Sequence, residues 1–310
     1  MYLIFMKRFV FLSLFMLCVN VSGSSITPSE VYTEVKKIEK EIDLIHDALK
    51  IKRSYNKKLE ARVFKTNIKP RHVWQKTYLV MVKINILRKN HNMPRVEEVS
   101  VEAVKNLEPD LVYEMTQRVL TELHIFKKLR GIKTQISKTA LNKNKKPLDV
   151  FNLMHRVSQK LDIINESQVE PSDVYAQVMR LHDDITIILK YLSLVDNTTP
   201  PLKNVNSKPQ DALNSVFAFI DIIHEIHKKT AVDITDFDTF KVKKAIPSDV
   251  INVVTLALAE LQTIKAFLGI GVHITPPANR YQGKNPSDVE QVMRWNVDRI
   301  NILFRSRFFE

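Results

Sequence analysis

An all-α fold is the expectation from three features of the sequence. A proline-led segment recurs eight times, an apolar spacing of four and three residues follows each proline, and the 310 residues include only five glycines. Glycine serves the tight turns of sheets and the phosphate-cradling loops of nucleotide-binding folds, so its scarcity argues against both.

The segment reads "TPSEVYTEV" at Pro28, "EPDLVYEMT" at Pro109, "EPSDVYAQV" at Pro171, "IPSDVINVV" at Pro247 and "NPSDVEQVM" at Pro286. Weaker relatives begin at Pro70, Pro147 and Pro209. The third residue after each proline is Val31, Val73, Val112, Val150, Val174, Ala212, Val250 or Val289. The fourteenth is Ile42, Ile84, Leu123, Leu161, Ile185, Ile223, Leu261 or Ile300, and the seventeenth is Ile45, Leu87, Phe126, Ile164, Ile188, Ile226, Ile264 or Leu303. With mostly apolar seventh and tenth positions, this places one apolar stripe along each of eight amphipathic helices of about five turns.

Each proline suits the first helical position, where its fixed φ is helical and its missing N–H would have had no partner. Two residues later stands Glu30, Asp149, Asp173, Asp211, Asp249 or Asp288 in six of the eight segments. There a carboxylate can meet free N–H groups at the positive helix end, and "TPSE" from Thr27 also fits a capping box. The segment is therefore read as a helix start rather than a catalytic motif.

The starts at Pro28, Pro109, Pro171 and Pro247 are expected to lead the longer helices, each followed by a long loop and a second helix. "NTTPPLKNVNSKP" and "HITPPANRYQGKNP" read as one loop used twice. The units run over residues 24–108, 109–170, 171–246 and 247–310. They predict four tandem helical-hairpin repeats, packed as two four-helix-bundle-like halves or a short α-solenoid. The period, about twice 38 residues, does not match the 34-residue tetratricopeptide unit. Only 24 residues separate Pro147 from Pro171, which marks a junction of two halves.

The chain opens with Lys7 and Arg8, an apolar run from Phe9 to about Val19, then small residues. That order predicts a signal peptide over residues 1–23, with an apolar run shorter than the roughly 20 residues that span a bilayer. The protein is therefore expected to be exported, periplasmic or extracellular, with no transmembrane anchor after cleavage. Cleavage would remove Cys18, the only cysteine, and with it any thiolate, disulfide or cysteine metal ligand. It would also remove Lys7 and Arg8 and no acid, taking the formal charge from +13 to +11. A basic exported chain is drawn to anionic surfaces or acidic proteins.

Candidate chemistry is sparse. Tyr32, Trp74, Tyr113, Phe151 and Tyr175 follow the stripe and read as packing rather than a stacking ladder. "HEIH" at 224–227 places two imidazoles a turn apart with Asp221 a turn earlier, but neither HExxH nor a set of Glu-x-x-His pairs is present, so a partly exposed helix face is expected. "HDD" at 182–184 and "DITDFD" at 233–238 gather carboxylates, the second without the glycine and terminal glutamate of a calcium loop; it reads as a turn and cap. No catalytic residue, cofactor or metal site is expected.

Charge is the clearest surface signal. Residues 125–148 hold eight basic side chains and no acid, and residues 50–71 hold nine with Glu60 alone opposing them. The candidate partner-binding residues are Lys52, Arg53, Lys57, Lys58, Lys133, Lys138, Lys143, Lys145 and Lys146, expected to gather as a positive rim at one end of the stacked units. Few aromatics interleave them, which argues against nucleic acid bound by base stacking. The function expected is a non-enzymatic interaction or scaffold protein whose basic loops meet an acidic partner protein or an anionic envelope component. The alternative is a helical sensory or small-ligand-binding module acting with a separate membrane partner.

Overall fold

The computed structural model describes residues 26–52, 64–98, 107–165 and 169–309. The expected signal peptide and Arg53, Lys57 and Lys58 lie outside them. The described residues form eight α-helices and no strand: α1 Pro28–Ala48, α2 Pro70–Asn90, α3 Pro109–Leu129, α4 Pro147–Ile164, α5 Pro171–Tyr191, α6 Pro209–Lys229, α7 Pro247–Phe267 and α8 Pro286–Phe304. Each recurring proline opens its helix, and the apolar residues at the third, fourteenth and seventeenth positions are all 3% exposed or less.

The starts are closed by reciprocal bonds. Asp149, Asp173, Asp211, Asp249 and Asp288 each accept the backbone N–H of the residue before the proline, and Glu30 does so at Thr27. His72 Nδ1 takes that place in α2, accepting Lys69 N–H at 2.9 Å.

The ends show a second shared device. After α1, α2, α3, α5, α6 and α7 comes a residue with positive φ: Lys50, Asn92, Gly131, Ser193, Ala231 or Gly269. The next N–H then returns to a last-turn carbonyl, as Ile132 does to Lys127 at 2.9 Å and Ile270 to Lys265 at 3.0 Å. This is the left-handed helix stop with its accompanying apolar contact. All six of these helices are 21 residues long; only α4 and α8, the last of each half, are shorter. The expected alternation of long and short helices is thus replaced by a shorter helix at the end of each half.

α1 and α2 each pack against both α3 and α4, and α5 and α6 each pack against both α7 and α8. The expected hairpins do not form, because α1 with α2, α3 with α4, α5 with α6 and α7 with α8 are not packed pairs. The reason is direction. Pro28, Pro70, Pro109 and Pro147, with the valines three residues on, line one small apolar recess; Pro171, Pro209, Pro247 and Pro286 line another with their own third residues. All four helices of a half therefore start at the same end. A 21-residue helix rises about 31 Å, so each link needs roughly nine or more extended residues to return. That requirement explains the long connections.

The halves meet through α2 and α7, which run in opposite directions. Arg71 and His72 at the start of α2 meet Glu260 late in α7, and Lys76 Nζ donates to Asn252 Oδ1, early in α7, at 2.6 Å. The second half is inverted, so α5 starts where α4 ends and no long return is needed there. α7 is the one described helix long and apolar enough to cross a membrane, yet most of it is buried inside the protein.

Substitutions at the helix stops test this backbone reading. Gly131→Ala is expected to lower the free energy of unfolding by roughly 1 kcal/mol, and Ala231→Gly to raise it by up to about that amount, in urea denaturation.

Candidate functional site

The segment after α3 runs back along α1. Lys127 Nζ donates to Thr134 O at 2.5 Å, Lys40 Nζ to Ser137 O and Thr139 Oγ1 at 3.3 and 3.0 Å, Asn142 N–H to Thr33 Oγ1 at 3.2 Å, and Lys145 N–H to Ser29 Oγ at 3.1 Å. As the segment number rises, the α1 number falls. The chain is therefore tied along the first two-thirds of α1, down to its start, about 18 Å at 1.5 Å per residue between Glu41 and Ser29.

Along this path the acids of α1 are already taken. Glu34 accepts from Lys37 at 2.6 Å and Gln117 at 2.7 Å, Glu39 from Arg156 at 2.5 Å, Glu41 from Lys127 at 2.5 Å, and Asp43 from Lys160 at 2.7 Å. Burial alone would raise the Glu39 carboxyl, but the bonds from Arg156 and Lys36 and the charge of Lys160 bring it down to about 2. The lysines of the returning segment have no such partners. Lys128, Arg130, Lys133, Lys138, Lys143 and Lys146 are exposed, and none pairs with an acid among the described residues. At the head of the segment an open recess of about 440 Å³ is bounded by His124, Lys127, Lys128 and Lys133.

The candidate residues thus separate. Lys133, Lys138, Lys143 and Lys146 form a stripe along the side of the first half instead of a rim at its end, because the link must travel the length of α1. Lys52 is exposed beyond the end of α1. Lys145 is part of the scaffold: its ammonium lies 4.7 Å from the Tyr32 ring centroid, as Lys284 lies 4.5 Å from that of Tyr175 in the second half. Within the other basic loop, Lys69 and Arg71 are consumed by Asp233 and Glu260. Sequence reasoning missed Lys40, which among the described residues bonds to Ser137 and Thr139 of the returning segment and adds its charge to the stripe.

No family model matches the chain, and neither a curated protein nor a solved structure matches it. In the second half the segment after α7 follows α5 in the same way, through Thr275 on Asp184, Pro276 on Arg180 and Lys284 on Ser172. Its residues 263–287 hold Lys265, Arg280 and Lys284 as their only lysines and arginines. At the position of Lys40, α5 carries Asp183.

The charges that do recur are buried. Lys127 on Glu41 in the first half is matched by Lys265 on Asp184, at 2.7 Å and with both side chains fully buried. Arg88 on Glu122 at 3.0 Å is matched by His227 beside Glu260 at 3.2 Å. The "HEIH" face is only partly exposed: Asp221 and Glu225 are exposed, His224 is half-buried against Phe237, and His227 is fully buried on the α6 and α7 seam. Burial alone would raise the Glu260 carboxyl, but His72, His227 and Arg71 hold it well below its ordinary range. His72, whose Nδ1 is occupied by Lys69 N–H, carries its proton on Nε2 toward Glu260, and burial pushes its pKa down. Among the described residues no group of three or more His, Cys, Asp and Glu side chains has metal-holding geometry. In "DITDFD", Asp236 accepts the Asp238 N–H at 2.8 Å and opens the short 3-10 helix Asp238–Phe240, a turn as read from the sequence.

Two measurements check this electrostatic frame. Asp184→Ala, which strands a buried ammonium, is expected to cost about 3–5 kcal/mol in urea unfolding, and adding Lys265→Met to recover most of it. Arg156→Ala is expected to move the Glu39 titration by NMR from about 2 back toward its ordinary 4.5. Because the folded Glu39 pKa is depressed, its contribution to stability is present above the unfolded value and lost as pH falls toward 2; the variant should lose that acid dependence.

Proposed function

We propose that the chain is a non-enzymatic, exported interaction protein, periplasmic or extracellular, built as two four-helix-bundle halves of one duplicated unit. Its first half presents a basic stripe to an acidic partner protein or an anionic envelope component. The duplication is supported by matching helix partners, matching stops and matching buried ion pairs in the two halves.

One observation carries the functional reading. The two halves lay the same returning segment on the same helix, yet only the first loads it with lysine. The second half shows that the segment folds without that charge, so Lys133, Lys138, Lys143 and Lys146 have no packing role to account for them. Six exposed like charges on one side repel one another, and an anionic surface relieves that repulsion. The acids of α1 are consumed elsewhere, so the stripe has no neutraliser among the described residues.

The test is binding of the protein to an envelope fraction and to phosphatidylglycerol vesicles over a range of salt. Binding is expected to weaken as salt rises, because exposed charges are screened over about 8–10 Å at physiological ionic strength. Replacing Lys133, Lys138, Lys143 and Lys146 together by Gln is expected to weaken it at least about tenfold, each lysine near an anionic surface contributing up to about 1 kcal/mol. The melting temperature should not fall, since removing like charges relieves repulsion. Salt-independent binding, or a variant that binds like the native chain, would overturn the reading.

A further inference from the structure

We infer that a recess between the two halves is a binding site for a small oxyanion, a carboxylate or phosphate group, held by Gln177 and drawn in by the buried charge of Arg180. The recess has a volume of about 120 Å³ and is bounded by the end of α2, the start of α5 and the segment preceding α8.

Arg180 is 1% exposed. Its Nε donates to Pro276 O at 3.1 Å, its Nη1 to Gln177 Oε1 at 3.0 Å, and its guanidinium lies 4.0 Å from the Tyr78 ring centroid. Its Nη2 has no partner. Five other buried cations, Lys83, Arg88, Lys127, Lys265 and Arg299, each contact a carboxylate within 3.0 Å, and Lys76 donates to Asn252 Oδ1 at 2.6 Å, whereas no carboxylate among the described residues pairs with Arg180. A buried cation without a counter-charge is costly.

Gln177, also 1% exposed, lines the recess. Because Arg180 can only donate, it fixes the amide oxygen toward itself, and the Gln177 Nε2 is left without a partner. A buried amide N–H₂ with an arginine behind it is a donor for an anion, strengthened by the charge that polarises it. The first half shows what has been exchanged. At the equivalent positions of α1 stand Glu34 and Lys37, paired at 2.6 Å. The second half keeps the cation and replaces the acid by an amide, so the missing negative charge is left to a ligand.

The remaining charged groups of the recess are accounted for. Glu98 is held by Arg95 and by Asn85 Nδ2 at 2.6 Å, and Asp173 accepts the Glu170 N–H at 2.9 Å. Lys89 and Arg280 stand exposed at its border and add positive charge. The site is distinct from the lysine stripe.

The experiment titrates the full chain with inorganic phosphate and separately with acetate, at constant ionic strength set by chloride, following melting temperature and calorimetric heat. A saturable rise with either anion is expected, the one that acts naming the ligand's acid group, since a ligand specific for the folded state must stabilise it. Gln177→Glu, which restores the acid of the first half, is expected to raise the melting temperature in the absence of anion and to weaken binding at least about tenfold, the equivalent of one hydrogen bond to a charged group. Lys89→Gln, at an exposed position that leaves the core intact, should weaken it about twofold to fivefold. The four-lysine stripe variant should titrate like the native chain. No saturable response to either anion, or Gln177→Glu and Lys89→Gln variants that titrate like the native chain, would overturn the inference.

Discussion

Four helices that all start from one end must be joined by chain that runs back the whole length of the half, and most of the structure follows from that constraint. The helix must stop sharply, which the positive-φ residue and the apolar residue after it accomplish at six ends. The returning chain must then be fastened along a neighbouring helix, which the bonds from Ser29, Thr33 and Lys40 do in the first half and those from Ser172, Arg180 and Asp184 do in the second. Parallel helices also bring their positive ends together, a repulsion that first-turn carboxylates reduce in every described helix but α2. Where the direction reverses, between α4 and α5, the link shrinks to a few residues.

Charge is sorted by the same geometry. Acids of α1 and α5 face neighbouring helices and the inner side of the returning chain, where Lys127 and Lys265 reach them in the interior. The outer side of the returning chain has no such obligation, so its charge is free to differ between the halves. Basic residues that recur at equivalent places, Lys127 with Lys265 and Lys145 with Lys284, are structural. Those that do not, such as Lys128, Lys143 and Lys146 against Ala266, Gln282 and Asn285, remain on the surface. Gln177 and Arg180 show the converse at the junction, where a recurring pair has lost its acid while being buried deeper.

The helix starts and the buried stripe were legible because proline at the first position and apolar residues at fixed distances are local requirements. Direction was not, since a four-three apolar spacing reads the same for a helix packed parallel or antiparallel to its neighbour. The length of the links was the available signal: hairpins need two to eight residues, and these have about twice that. The helix stops were also written in the sequence, as the apolar Ile51, Met93, Ile132, Leu194, Val232 and Ile270 at one fixed distance from their prolines. For the candidate site, Lys133, Lys138, Lys143 and Lys146 are exposed, but that they lie along α1, and that Lys145 is spent on Tyr32, could be read only from the path of the chain. The Glu260 cluster and the Arg180 recess depend on which faces of α2, α5 and α7 meet, which no local pattern encodes.

The common starting end is the claim on which the rest stands, and a single distance tests it. Spin labels carried by Asp110→Cys at the start of α3 and Lys146→Cys at the start of α4, with Cys18 replaced by serine, report the separation of two helix starts in one half. α3 and α4 stand diagonally across a half whose packed pairs are 8–10 Å apart, so if parallel they place these positions, label arms included, about 15–25 Å from one another. Helices that alternate in direction would separate them by about a full helix length, roughly 31 Å or more before the label arms are added. A distribution centred near the shorter value is the expected result, and one centred beyond about 35 Å would contradict the account.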